Sequence, residues 1–223
     1  MNIKNIPFLC IIFVTTTIPL RSSAAEKKHQ GTLIVLNGLP ASGKTTIQQR
    51  LQEKSDKVWL AMGIDSLLFK TLPSNYMSGE DRDNLPNKKQ VAYLLKGHDQ
   101  NDAPHTKVQF GPIGHTIAQG MFQAVAAYVR AGNNVIFDLV LFDTQWIDYA
   151  KKAFDTLKVY GIGLTLPLTE QQKRETDRGT TTPGIGNAHY HTVHAGITYD
   201  LMFDTSKVTV DEAVDAILNS INA

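Results

Sequence analysis

The run Gly38-Leu39-Pro40-Ala41-Ser42-Gly43-Lys44-Thr45 has the spacing G-x-x-x-x-G-K-[ST]. That spacing is built to hold phosphate. The glycines let the backbone fold round an anion, and successive N–H groups at the start of a following helix face it. All eight residues, from Gly38 to Thr45, are expected to form the cradle. Lys44 should neutralise the β and γ oxygens of a nucleoside triphosphate, with Thr45 Oγ on Mg²⁺. The bare pattern also arises by chance as a Gly-rich turn with a surface lysine, so its flanks decide. A strand before it and a helix after it are the confirming context.

Three further positions fit the same chemistry. Asp138 ends the apolar run Val135-Ile136-Phe137, where a carboxylate can share the Mg²⁺ with Thr45 or cap the next turn. Asp65 follows the run ending in Gly63-Ile64. There it can accept a hydroxyl proton as the oxygen attacks a phosphoryl group, or cap a helix starting near Ser66. Arg174 and Arg178 lie four apart and so share a helical face. They suit a lid that stabilises transferring charge, or a solvated helix end, since Glu175 and Asp177 interleave. The expected assignment has Asp65, Lys44 and Arg178 catalytic, Arg174 beside the cradle on the nucleotide, and Thr45 with Asp138 on the metal.

The elements that must position these residues alternate strand and helix from Gly31 onward, the pattern of an α/β fold with a five-stranded, mainly parallel sheet and helices on both faces. Thr32–Leu36, Val58–Ala61, Val135–Phe137, Val159–Leu166 and Tyr199–Phe203 are the predicted strands. Lys44–Ser55, Ile113–Ala131 and Thr144–Leu157 are predicted helices. Thr169-x-x-Gln172 predicts a capping box opening a helix through Arg178, and Thr209-x-x-Glu212 another opening the C-terminal helix. Residues 71–111 are polar, with Pro73, Pro86 and Pro104, and read as an insertion that binds the acceptor, with a helix around Lys88–Lys96. Trp146, Tyr149 and Phe154, at helical spacing, and Met121-Phe122 are expected in the core.

Beyond these residues the chain resembles the chloramphenicol phosphotransferase family. The resemblance is carried by Asn37-Gly38 running into the cradle, by Trp59-Leu60-Ala61-Met62-Gly63-Ile64-Asp65-Ser66-Leu67, and by Glu175-Thr176-Asp177-Arg178-Gly179. Val193-His194-Ala195-Gly196-Ile197-Thr198-Tyr199-Asp200, with Asp204-Thr205 after it, also carries it. It runs over nearly all of 31–223. It implies a P-loop kinase sandwich and an ATP-dependent transfer to a hydroxyl of a small molecule, with Asp65 on the family's general base and Arg178 on a lid arginine. The chain departs from the family at Leu139, where a second acidic residue is expected, and at Thr180-Thr181-Thr182, where a further arginine is. A zeta-toxin type nucleotide-sugar kinase shares this logic. An exported nucleotide-binding protein without catalysis is a third reading.

Composition removes other classes. The 223 residues are 42% hydrophobic, enough for one sizeable core, and 22 Lys+Arg against 21 Asp+Glu leave a net charge of +1. No global basic field exists to hold nucleic acid. The lone Cys10 excludes a disulfide framework. His189, His191 and His194 allow a metal site, but the place of His194 in the family stretch argues for packing or substrate contact instead. Residues 1–25 read as a signal peptide, with Lys4, the apolar stretch Ile6–Leu20 and Ser22-Ser23-Ala24-Ala25 before the cut. The domain would then be 26–223, exported and without stable membrane insertion, in tension with its use of ATP. The sequence does not set the oligomeric state.

Overall fold

The computed structural model describes residues 30–72, 91–179 and 182–222. The expected leader, 1–25, lies outside them. The elements run β1 (Thr32–Gly38), α1 (Lys44–Lys54), β2 (Trp59–Gly63), a wide helical turn (Asp65–Phe69), β3 (Ala92–His98), β4 (Pro104–Phe110) and α2 (Pro112–Arg130). They continue with β5 (Asn134–Leu139), α3 (Gln145–Phe154), β6 (Lys158–Thr165), α4 (Leu168–Asp177), α5 (Ile185–His189), β7 (Leu201–Asp204) and α6 (Val210–Asn222).

Five strands form one sheet in the order β2-β5-β1-β6-β7, with every pair parallel. Alternation along the strands divides the core. Leu33, Val135 and Phe137 turn to α2 and α3, where Phe122, Trp146 and Phe154 pack edge to face. Ile34, Leu36, Ile136, Ile162 and Leu164 turn to α1 and α6, against Ile47, Leu51, Val214 and Ile217. Trp146 and Phe154 are core as expected, whereas Tyr149 is half-buried beside them. Among the described residues no helix is long and apolar enough to cross a membrane.

Several expectations are corrected. The second strand lies two residues later at its end, and the fifth starts at Leu201. β5 inserts between β2 and β1, so Asp138 lies between those strands, paired with Gly63 on one side and with Leu36 on the other. Of the helix expected around Lys88–Lys96, residues 92–96 belong instead to β3, antiparallel to β4, while Val91 is helical and 88–90 lie outside the described residues. Asp99 closes this hairpin by accepting the N–H groups of Asn101 and Ala103. Thr209 and Glu212 do form the reciprocal capping box. Thr169 does not cap α4. Pro167, with φ −57°, takes the capping position and starts the helix earlier, leaving no side-chain cap.

Candidate active site

The P-loop closes tightly at its root. A Cβ on Gly38 would lie 2.5 Å from the Leu164 carbonyl oxygen, so only glycine fits. Ala41 (φ 61°) and Gly43 (φ 91°) take left-handed backbone, which turns the loop over and starts α1. Among the described residues no side chain caps that helix, which leaves its first N–H groups at the cavity for a ligand. Ser42 Oγ is buried there without a partner among the described residues. A Cβ added at Gly43 would meet open space. Pro40–Thr45 line a cavity of about 530 Å³. Gly38 and Leu39 lie behind it: their carbonyls accept from Lys44 Nζ at 3.0 and 2.8 Å and hold the ammonium in place.

Asp138 meets both cationic and hydroxyl partners. Thr45 Oγ1 donates to its Oδ2 at 3.3 Å, and Lys44 Nζ stands 3.7 Å from Oδ1. It therefore faces the P-loop rather than capping a turn. Burial pushes the Asp138 carboxyl up, with Lys44 opposing, and pushes the Lys44 ammonium down, with Asp138 and Asp65 opposing. For both groups burial outweighs the attraction between them. Asp65 caps nothing either. Ser66 Oγ ties the turn, donating to the Gly63 carbonyl at 2.9 Å, while the Asp65 carboxylate is exposed to the cavity without a hydrogen-bond or ion-pair partner among the described residues. The wide turn, closed from the Lys70 N–H to the Asp65 carbonyl at 2.8 Å, aims it there.

Arg174 and Arg178 both line the cavity, as their spacing predicts. They differ in freedom. Arg174 donates to Glu170 (2.9 Å), to Thr205 Oγ1 (3.2 Å) and to the Thr205 carbonyl (3.1 Å), so its guanidinium is held in place. Arg178 is exposed at the end of α4 with no ion pair among the described residues. Beyond the P-loop and the start of α1, the two aspartates, the two arginines and Thr182, the described lining is apolar: Ile64, Phe69, Ala92, Tyr93, Leu94, Val108, Val140, Phe142 and Ile185. The hairpin part of this wall was not legible as strands in the sequence.

A sequence model of the chloramphenicol phosphotransferase-like proteins matches residues 31–222. The chain belongs to this family. A relative from Mycobacterium tuberculosis (strain ATCC 25618 / H37Rv), named as an O-phosphotransferase, is 28% identical over 204 residues, 91% of this chain and 88% of its own. The fold is shared with a sugar kinase from Janibacter sp. (16% identity, TM-score 0.58, 86% of this chain and 95% of that one). It is shared too with the M. tuberculosis APS kinase in complex with AMPPNP and APS (13%, 0.54, 87% and 99%). A gluconokinase from Sinorhizobium meliloti 1021 has it as well (14%, 0.52, 86% and 92%). The protein is a phosphotransferase of P-loop kinase architecture.

The family stretch from Val193 to Asp200 lies outside the lining of this cavity and supports the P-loop's root. Asn37, 1% exposed, donates to the Val193 carbonyl at 2.7 Å and to Tyr199 Oη at 2.6 Å, and its Oδ1 accepts the Leu141 N–H at 3.0 Å. His194 Nδ1 meets Tyr199 Oη at 2.8 Å, and burial holds its pKa below the ordinary value. The Tyr199 ring occupies the space over Gly163 that a Cβ would need. One amide thus ties the strand leading into the P-loop to the segment leaving Asp138. An asparagine inside an otherwise apolar buried strand was the available signal. His189 is a packing residue too: it accepts the Val108 N–H at 3.0 Å, packs on Phe142, and burial pushes its pKa down to about 4. Among the described residues no group of three or more His, Cys, Asp or Glu could hold a metal.

Proposed function

We propose that the protein transfers the γ-phosphoryl group of ATP, with Mg²⁺, to a hydroxyl of a small uncharged molecule carrying an apolar or aromatic portion. The observation that carries this reading is Asp65: a carboxylate without a partner among the described residues, in a cavity lined by the P-loop and by apolar side chains of the hairpin. The residues present suit the donor. The uncapped start of α1, the orphaned Ser42 hydroxyl and the left-handed turns at Ala41 and Gly43 make an anion cradle. Thr45 and Asp138 offer a hydroxyl and a carboxylate to a hard cation. ATP supplies the phosphoryl group and Mg²⁺ neutralises its oxygens when bound.

The chain's own residues do the rest. Asp65 takes the proton from the acceptor hydroxyl as its oxygen forms the new bond to phosphorus and ADP leaves. Lys44 and Arg178 face the charge on the transferring group, and Arg174 steadies the nucleotide end. The apolar wall excludes water and favours an acceptor without charge. Lys44, Arg174 and Arg178, the cationic residues described in the cavity wall, all stand at the phosphate end, which weighs against a nucleotide-sugar diphosphate as acceptor.

Incubation with labelled ATP, Mg²⁺ and a panel of aryl-propanediol antibiotics, aminoglycosides and nucleotide sugars tests the reading, with Lys44→Ala as blank. Label is expected on aryl-propanediol hydroxyls. Selective labelling of a nucleotide sugar would overturn the acceptor class. ATP binding with no transfer above the blank across the panel would overturn the proposed reaction.

A further inference from the structure

Helix α4 presents three faces with three partners. Arg174 and Arg178 face the cavity. Lys173 and Asp177 pair with each other in solvent at 2.8 Å. The third face is buried and polar: Gln171 and Glu175, 0% and 6% exposed. Gln171 Nε2 donates to the Pro40 carbonyl of the P-loop at 3.3 Å. Its amide also fills the space beside Gly186, where an added Cβ would collide with it.

Glu175 is the unusual member. A buried carboxylate normally takes a cation. This one makes no ion pair among the described residues and instead accepts the N–H groups of Gly184 (3.2 Å) and Gly186 (3.4 Å), at the start of α5. From there the bonds run into the hairpin. The Gly184 carbonyl accepts the Thr106 N–H at 3.0 Å, and Thr106 Oγ1 donates to the Pro183 carbonyl at 2.8 Å. Val108 N–H reaches His189 at 3.0 Å, and Asn187 Nδ2 reaches Asp99 at 2.9 Å and the Pro104 carbonyl at 3.0 Å. The edge of β4 is therefore laced to α5, α5 is pinned to α4 by Glu175, and α4 touches the P-loop through Gln171.

We propose that Glu175 is a positioning residue that makes the arginine-bearing helix and the acceptor-facing hairpin one mechanical unit, so that nucleotide on the P-loop orders the acceptor wall and the acceptor wall in turn sets Arg178. This rests on the function proposed above. It assigns work to a carboxylate that touches neither donor nor acceptor.

Amide hydrogen exchange on the full chain, with and without AMPPNP and Mg²⁺, tests it without needing an acceptor. In the unaltered protein AMPPNP is expected to slow exchange at the P-loop and, with it, at Thr106 and Val108, each by about tenfold. In Glu175→Gln the P-loop should be protected to within about twofold of that level while the response at Thr106 and Val108 disappears. Absence of P-loop protection in the unaltered protein would sink the nucleotide reading itself. P-loop protection with no response at Thr106 and Val108 would overturn the coupling alone, as would Glu175→Gln transmitting the response undiminished. Should Glu175→Gln fail to fold, Thr106→Val removes a bond of the same junction from the hairpin side. It is expected to weaken the response at Val108, and an unchanged response there would overturn the coupling.

Discussion

At the P-loop end of the cavity the shape is set by backbone, through uncapped N–H groups, two left-handed turns and carbonyls that seat Lys44, and charged side chains are added to it. At the hairpin end the walls are side chains, from Phe69, Tyr93, Leu94 and Phe142 to Ile185. A backbone wall recognises what every nucleoside triphosphate has in common and tolerates little change, since its shape depends on glycines. A side-chain wall recognises one acceptor and can be recut residue by residue. The difference separates chemistry from choice, and substitutions at the two ends should fail in different ways.

The largest effect is expected where the ends meet. Asp65→Asn should keep nucleotide affinity and lower kcat by on the order of 10²–10⁴, the usual worth of a general base. Near-normal turnover would remove Asp65 as the base. The hairpin's anchor should show in stability. His189 has a folded pKa of about 4 against an ordinary 6.5, so the unfolded chain binds the extra proton between those values. Stability should therefore fall as pH drops from 6.5 to 4, by at most on the order of 3 kcal/mol. The groups facing this imidazole are Lys107, His105 and the Phe142 ring, and the two bases also disfavour its charging. His189→Asn should flatten that part of a pH series of urea melts, and an unchanged slope would assign it to other groups. At the side-chain wall, Tyr93→Ala should raise the acceptor KM by about tenfold with the ATP KM unmoved. A rise in both would show that the wall is not private to the acceptor. The smallest effect is outside the comparison: Asp177→Ala breaks an exposed pair with Lys173 and should leave the thermal melt unmoved, and a clear fall in Tm would show that the pair matters to stability.

Legibility in the sequence followed locality. The P-loop, the Thr209–Glu212 cap and the i, i+4 arginines are patterns within a single turn or loop, and spacing alone finds them. Asp138 was visible because a buried strand is an apolar run with a defined end. The strand order was not, since nothing local records that β5 inserts between β2 and β1. The stretch Ala92-Tyr93-Leu94-Leu95-Lys96 is made of residues that helices accept, and its pairing with β4 overrode that preference. The turn at Asp99–Asp102 was the missed clue. The stretch from Val193 to Asp200 was recognisable by resemblance, but its duty, bracing the root of the P-loop through Asn37, depends on contacts more than 150 residues away in sequence.

Asn37-Gly38 is also a chemically perishable dipeptide. In a loose chain the glycine nitrogen attacks the preceding side-chain amide, and the asparagine is lost to aspartate and isoaspartate. Here that amide is committed to Val193, Tyr199 and Leu141, and both residues are fixed in β1 between β5 and β6. The folded chain thereby protects this labile amide. Each excursion to the unfolded state exposes it, and an aspartate at 37 would have no N–H to return to the Val193 carbonyl. The same bracing that shapes the P-loop thus sets the shelf life of the protein: time spent unfolded is recorded covalently at its root, and refolding yield should decline with that time.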